Sequence, residues 1–201
     1  MKQVIDARGL ACPQPVIDTR KALESSESVI TIVDNKTAVE NIKRMAHTLG
    51  CTATEEIKDD GIYMTIEHSK YILEIAGKPQ PCARNNQAAP ASSVLVISQE
   101  AMGRGDDALG HLLIKSFFHT IAETSPVPEV IIFFNSGVKL VVEGSDVIDD
   151  IRLLEGKGVK ILACGTCLDY FRLKDKIQAG VVSNMYEIKD LMLSGRTLVN
   201  I

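Results

Sequence analysis

Apolar and polar residues change period repeatedly along the chain, and each change marks an element. Val4 and Ile5 begin a short strand. Residues 13–25 read as a helix with Val16, Ile17 and Leu23 on one face. Residues 28–33, SVITIV, are rich in β-branched side chains and suit a buried strand. Thr37 followed three residues later by Glu40 has the form of a capping box. The helix it opens carries Val39, Ile42, Met45, Ala46 and Leu49 at helical spacing, and Gly50 stops it. Residues 52–58 and 62–67 flank Asp59-Asp60-Gly61, a hairpin signal, and residues 71–75 are a further strand candidate. Two helices on one face of a small mixed sheet would bury this pattern.

The pattern breaks at residues 77–93, GKPQPCARNNQAAPASS, which hold three prolines, small residues and no apolar period. That is the composition of a tether. It sets the expected domains at 1–76 and 94–201. Beyond it, strand and helix alternate. Residues 94–98 form a continuous apolar run, the mark of a strand covered on both faces. Leu109, Leu112, Leu113, Phe117 and Ile121 predict a helix over 106–123, followed by a buried strand at 129–134. Ser145 is placed to cap a helix with Val147, Ile148, Ile151 and Leu154 facing inward, closed by Gly156 and Gly158. A strand at 159–163, a helix after Cys167, a short strand near Val181 and Val182, a helix over 186–193 and a last strand at 197–201 complete the series. The alternation predicts a doubly wound parallel α/β sheet, whose chemistry lies beyond the carboxyl ends of the strands.

Composition narrows the functions. The 201 residues are 45% hydrophobic and 24% charged, ordinary for a globular protein, with a formal charge of −4. Both halves are net acidic, and the tether carries Lys78 and Arg84. Acidic halves with few aromatics disfavour nucleic acid, and the absence of a long apolar run disfavours a membrane role. The opening residues lack the apolar core of a signal peptide, so a cytoplasmic location is expected. Five cysteines, an odd number, then speak against a disulfide framework.

The stretch DARGLACPQPV, residues 6–16, sets Cys12 between a glycine turn and two prolines. Pro13 suits the first helical position, which would make Cys12 the cap. A helix N-terminus favours a thiolate, and equally the anion of a persulfide or perselenide. Gly9 permits a tight turn, Pro15 stiffens the first helical turn, Arg8 adds positive charge, and Asp6 can orient Arg8. The bland alternative is a buried cysteine at a helix start. A second candidate is CGTC, where Cys164 ends a buried strand and Cys167 starts a helix. Such a pair can be a redox dithiol, half a zinc site lacking its other ligands, a relay in which one cysteine takes sulfur and the other resolves it, or two packed cysteines. The glycine-rich loop at 102–110 lacks a phosphate-loop form and is expected to shape a pocket beside Cys164, with residues 135–140 lining it. Cys51 reads as structural and Cys82 as a tether thiol, while His47, His68, His111 and His119 form no ligand pair. No metal and no organic cofactor are expected.

DARGLACPQPV resembles the signature of the TusA/SirA family of small sulfur carriers, and the likeness continues through ESVITIVDNKTAVENIKRMAHTLG. Asp6, Arg8, Gly9, Pro13 and Pro15 match that motif. The resemblance implies a two-layer α/β sandwich with Cys12 as the persulfide carrier. The second half resembles the DsrE-like family, which implies that Cys164 stands where that family carries sulfur, with Cys167 an addition. The order of the two, ending in CGTCLDYF and NMYEIKDLML, is similar to the YedF group of sulfurtransferase-like selenium metabolism proteins. The readings that follow are a sulfur or selenium relay served by a cysteine desulfurase or other donor and an acceptor protein, a thiol-disulfide module on Cys164 and Cys167, and a regulatory module that forms a homo-oligomer through the C-terminal domain.

Overall fold

The computed structural model describes residues 2–68 and 92–201. The expected strand at 71–75, Cys82 and all of the tether except Ser92 and Ser93 lie outside the described residues. The chain divides into two compact units, Met1–Gln87 and Ala88–Ile201.

In the first unit the order is β1 (Lys2–Asp6), α1 (Gln14–Leu23), β2 (Ser28–Val33), α2 (Lys36–Thr48), β3 (Cys51–Lys58) and β4 (Gly61–His68). The sheet order is β1-β2-β4-β3, with β1 parallel to β2 and the other pairs antiparallel. The parallel pair requires a crossover, which α1 supplies, and the antiparallel pair needs only the Asp59–Asp60 turn. Gly61 must be glycine there, since its φ is +154° and a Cβ would sit 3.1 Å from the Val33 carbonyl oxygen. Both helices cover one face, where Leu23, Val39, Ile42 and Ala46 pack with Val29, Val33, Met64 and Ile66. This is the two-layer sandwich expected. Inside it, Thr19 Oγ1 lies 2.7 Å from Thr31 Oγ1 and donates to the Pro15 carbonyl at 2.6 Å, which satisfies two buried hydroxyls and ties α1 to β2.

The expected capping box is corrected. Asn35 caps α2, its Oδ1 accepting from the Ala38 amide at 2.9 Å, and Thr37 is the second helical residue, exposed. Asparagine is at least as good a cap as threonine, and it comes two residues earlier in the chain.

The second unit runs β5 (Ser93–Ile97), α3 (Asp107–Glu123), β6 (Val130–Phe133), a 3-10 helix (Asn135–Val141), α4 (Ile148–Gly156), β7 (Lys160–Cys164), α5 (Gly165–Tyr170), a short 3-10 turn (Lys174–Lys176), β8 (Val181–Ser183), α6 (Met185–Met192) and β9 (Thr197–Asn200). All five strands are parallel, in the order β8-β7-β6-β5-β9. The chain steps outward from β5 to β8 and then returns to the far side of β5. Right-handed crossovers therefore put α3 and α4 on one face and α6 on the other, a doubly wound sheet. Every residue of β6 is buried, as is all of β5 but its first residue and all of β7 but Lys160, which is why these strands read as unbroken apolar runs.

The helix expected over 106–123 is α3, and its large apolar residues are not all on its inward face. Leu109, Leu112 and Leu113 are 52%, 61% and 42% exposed, while Gly110, Ile114, Phe118 and Ala122 are buried. The inward row has i, i+4 spacing and includes two small residues. Gly110 lets the preceding loop come close, since a Cβ there would lie 3.0 Å from that of Ala101. Phe118 stacks on Phe133 with ring centroids 5.9 Å apart.

Candidate functional site

The Cys12 loop follows β1, and its shape comes from polar contacts at both flanks. Asp6, the last residue of β1, accepts a bidentate pair from Arg8, Nε to Oδ1 at 2.8 Å and Nη2 to Oδ2 at 2.6 Å. The remaining guanidinium nitrogen donates to the Asp60 carbonyl at 3.0 Å and reaches the Asp60 carboxylate at 3.4 Å. Arg8 thus fastens the loop to the β3–β4 turn. Its hydrogen bonds hold the Asp6 carboxyl down to about 2, and those same bonds push the guanidinium further above its usual range. Gly9, at φ +75°, donates its amide to Asp34 Oδ2 at 2.7 Å, which fixes the loop to the start of α2. Hydrogen bonds from Asn35 and then from Gly9 lower the Asp34 carboxyl.

Cys12 is exposed between these anchors. It is not the cap of α1. The Gln14 amide closes a turn onto the Ala11 carbonyl at 3.0 Å, Pro13 takes the cap position, and its carbonyl accepts from the Val16 and Ile17 amides at 3.0 and 3.2 Å. The helix starts at Gln14, with Pro15 buried in its first turn, and Cys12 stands one residue before the cap. The group that addresses the sulfur is instead the Asn41 side chain on α2, whose Nδ2 donates to Sγ at 3.5 Å. Arg8 is engaged by two carboxylates, so its role is to brace the loop.

The second thiol cluster lies at the carboxyl end of the parallel sheet. Cys164 ends β7 and is 1% exposed, within the core of the unit. Cys167 is the third residue of α5 and is half-buried. Gly165 between them allows β8 to close in, since a Cβ would lie 3.1 Å from both the Ser183 carbonyl oxygen and Val182 Cγ1. Both thiols are free, and Cys164 is the N-cap residue of α5, with Cys167 in its first turn. The Asn135 amide, at the end of the neighbouring strand β6, donates to Cys167 Sγ at 3.1 Å. Asn135 takes a left-handed conformation, φ +51°, which asparagine tolerates better than most residues. Gly137 seats this segment, because no Cβ fits 2.4 Å from the Ile97 carbonyl oxygen. Burial pushes the Cys167 thiol up, the Asn135 N–H draws it back, and the contact with Cys164 pushes it up again.

A cavity of about 440 Å³ lies elsewhere in this unit, among Glu100, His111, Lys115, Lys139, Asp146 and Phe171. Lys139 Nζ donates to Glu100 Oε1 at 2.8 Å and sits 5.2 Å from the centre of the Phe171 ring. Of residues 135–140, Lys139 and Leu140 line it. Neither cysteine lines it, nor does any residue of the 102–110 loop. In that loop Asp106 caps α3 by accepting from the Leu109 amide at 2.8 Å. Among the described residues no three metal-ligating side chains converge, and no helix is long and apolar enough to cross a membrane.

Asn41, Asp34 and Asp60 were not legible as site residues. Their partners stand 25 to 52 residues away, and no local spacing announces them.

Residues 3–68 match the family model of sulfurtransferase TusA, and residues 93–201 match that of the DsrE/DsrF-like family. The chain is 45% identical over 51 residues to a candidate sulfur carrier protein of Methanocaldococcus jannaschii, which covers 24% of this chain and 68% of that protein. Among solved structures it is similar to a SirA-like protein from Desulfitobacterium hafniense, with 39% identity, 33% of this chain and 96% of that chain covered, and a TM-score of 0.31. It is also similar to a protein of unknown function from Methanobacterium thermoautotrophicum, with 22% identity, 54% and 97% covered, and a TM-score of 0.41. The chain belongs to the DsrE/DsrF-like family through residues 93–201, fused behind a TusA-type sulfur-carrier segment at residues 3–68.

Proposed function

We propose that the protein carries a sulfur atom, or the equivalent selenium atom, as a persulfide or perselenide on Cys12. In this reading residues 1–76 are the carrier domain, 77–93 the tether and 94–201 the second domain. The observation that supports it is an exposed thiol on a loop braced from both sides, by Arg8 between Asp6 and Asp60 and by Gly9 on Asp34. An exposed thiol can meet the sulfur of a partner protein, and a braced loop presents it in one geometry.

The Cys12 thiolate attacks the terminal sulfur of the donor's persulfide. A bond forms between the two sulfurs, the donor's own S–S bond breaks, and the donor leaves as a thiolate. The Asn41 amide donates to the sulfur that carries charge before and after transfer. An acceptor thiolate then repeats the exchange on the Cys12 persulfide. No electrons are gained or lost overall. A cysteine desulfurase suits the donor role, since it holds a persulfide of its own. Selenium follows the same path, because both anions are soft nucleophiles of similar demand.

The test is transfer from a cysteine desulfurase supplied with cysteine or selenocysteine to the wild type and to Cys12→Ser. The reading expects chalcogen on the wild type that a thiol reductant releases, and none passed on by Cys12→Ser. Undiminished transfer by Cys12→Ser would overturn it.

A further inference from the structure

A carrier must protect its persulfide from other thiols, and the two thiol sites of this chain differ in that respect. The hydrogen-bond partner of Cys12 is an amide, which cannot cleave a persulfide. Cys167 instead has another thiol as its neighbour, Cys164, the N-cap residue of the same helix turn. A sulfur added to Cys167 would stand beside a nucleophile three residues away. We propose that Cys167 and Cys164 act in that order as a reducing pair, which converts the sulfane sulfur of a persulfide into hydrosulfide, or its selenium counterpart into selenide. The inference rests on reading the chain as a handler of sulfane chalcogen, but it does not use Cys12.

Burial sets the order. Cys164 is 1% exposed and packed in the core, so no donor of any size reaches it. Cys167 is half-buried and lies at the carboxyl end of the sheet. It also has a backbone donor aimed at its sulfur, the Asn135 amide at 3.1 Å. A donor in that position favours negative charge on Cys167 as it attacks the persulfide. Cys164 has no need of access, because its target is Cys167 itself.

The steps balance as follows. The Cys167 thiolate attacks the outer sulfur of a persulfide, and the donor departs as its thiolate. Cys164, deprotonated, then attacks Cys167 Sγ, the inner sulfur of the new persulfide. The Cys167 S–S bond breaks, the outer sulfur leaves as hydrosulfide, and a Cys164–Cys167 disulfide forms. The sulfane sulfur gains two electrons and the two thiols lose them. The hydrosulfide keeps the proton that the persulfide brought, and the two thiol protons, lost as the thiolates form, go to solvent. Each chain turns over once, and further turnover requires a dithiol reductant to reopen the disulfide.

The experiment uses the full-length Cys12→Ser protein, reduced and freed of reductant, with glutathione persulfide as the probe. Hydrosulfide release and the mass of each cysteine peptide are followed together. The expected result is one equivalent of hydrosulfide per chain, with Cys164 and Cys167 linked. In Cys12→Ser/Cys164→Ala, and in the Cys164→Ser equivalent that guards against misfolding of either, sulfur is expected to stay on Cys167 with hydrosulfide release lost. Sulfur trapped on Cys164 in a Cys167→Ser chain would overturn the order. A disulfide formed without hydrosulfide would overturn the reaction and leave a plain redox pair. Because Cys12 is absent throughout, failure here leaves the carrier reading intact, and failure of Cys12 to load leaves this result standing.

Discussion

Replacing Gly137 by alanine should displace the segment that holds the Asn135 amide against Cys167. A Cβ at this position would lie 2.4 Å from the Ile97 carbonyl oxygen, 3.0 Å from its carbon and 3.4 Å from the Gln99 nitrogen. Carbon contacts are comfortable at about 3.5 Å, so the shortfall is roughly 1 Å. All three neighbours are backbone atoms at or just beyond the end of a buried strand, so no rotamer change relieves it. Overpacking of this kind costs about 1–3 kcal/mol. For a unit of this size that corresponds to a fall in melting temperature of roughly 4–12 °C. Gly156→Ala is the control, because its Cβ would meet nothing within 4 Å. Thermal unfolding of both variants gives the stability. The pH dependence of Cys167 alkylation gives the second readout, and it should move upward in Gly137→Ala, since the lost Asn135 hydrogen bond is the one that lowers the thiol. A Gly137→Ala protein that melts with the wild type and keeps its Cys167 profile would refute the reasoning.

Other consequences follow from the first unit. Thr19→Val should cost about 1–3 kcal/mol by denaturant unfolding, because it strands the buried Thr31 hydroxyl, and adding Thr31→Val should recover part of the loss. The Asp6 carboxyl is held near 2 against an ordinary value of 3.8, so its stabilising contribution is complete above about pH 4 and lost as pH falls toward 2. Unfolding midpoints at pH 4.5 and 2.5 should therefore differ less in Asp6→Asn than in the wild type, and salt should narrow the difference further. Asn41→Asp replaces the donor facing Cys12 with a carboxylate, and it should slow Cys12 modification by iodoacetamide several-fold while leaving the melting temperature nearly unchanged.

The elements were legible where a single period carried them. The unbroken apolar runs of β5, β6 and β7 announced strands covered on both sides, and the Asp59–Asp60 turn announced its hairpin. The face of α3 was not, because counting large apolar residues gives no weight to Gly110 and Ala122, which lie in its buried row. The caps went astray for related reasons. Asn35 outcompetes a well-formed but later box, and a turn over residues 11–14 delays α1 so that Pro13 stands where Cys12 was expected. The two cysteine motifs stood out because proline, glycine and short spacing are local signals. Their partners did not. Asp60, Asn41 and Asn135 reach the loop and the thiol pair only once β4 pairs with β2, α2 packs beside α1, and β6 lies next to β7.

The measurement that tests the central claim most directly is time-resolved intact mass with peptide mapping of the wild type, during reaction with a cysteine desulfurase and cysteine. The account predicts that the first sulfur to appear maps to Cys12, is removed by a thiol reductant, and accumulates before any Cys164–Cys167 disulfide forms. A first sulfur on any other cysteine, or a disulfide that forms while Cys12 stays unmodified, would contradict it.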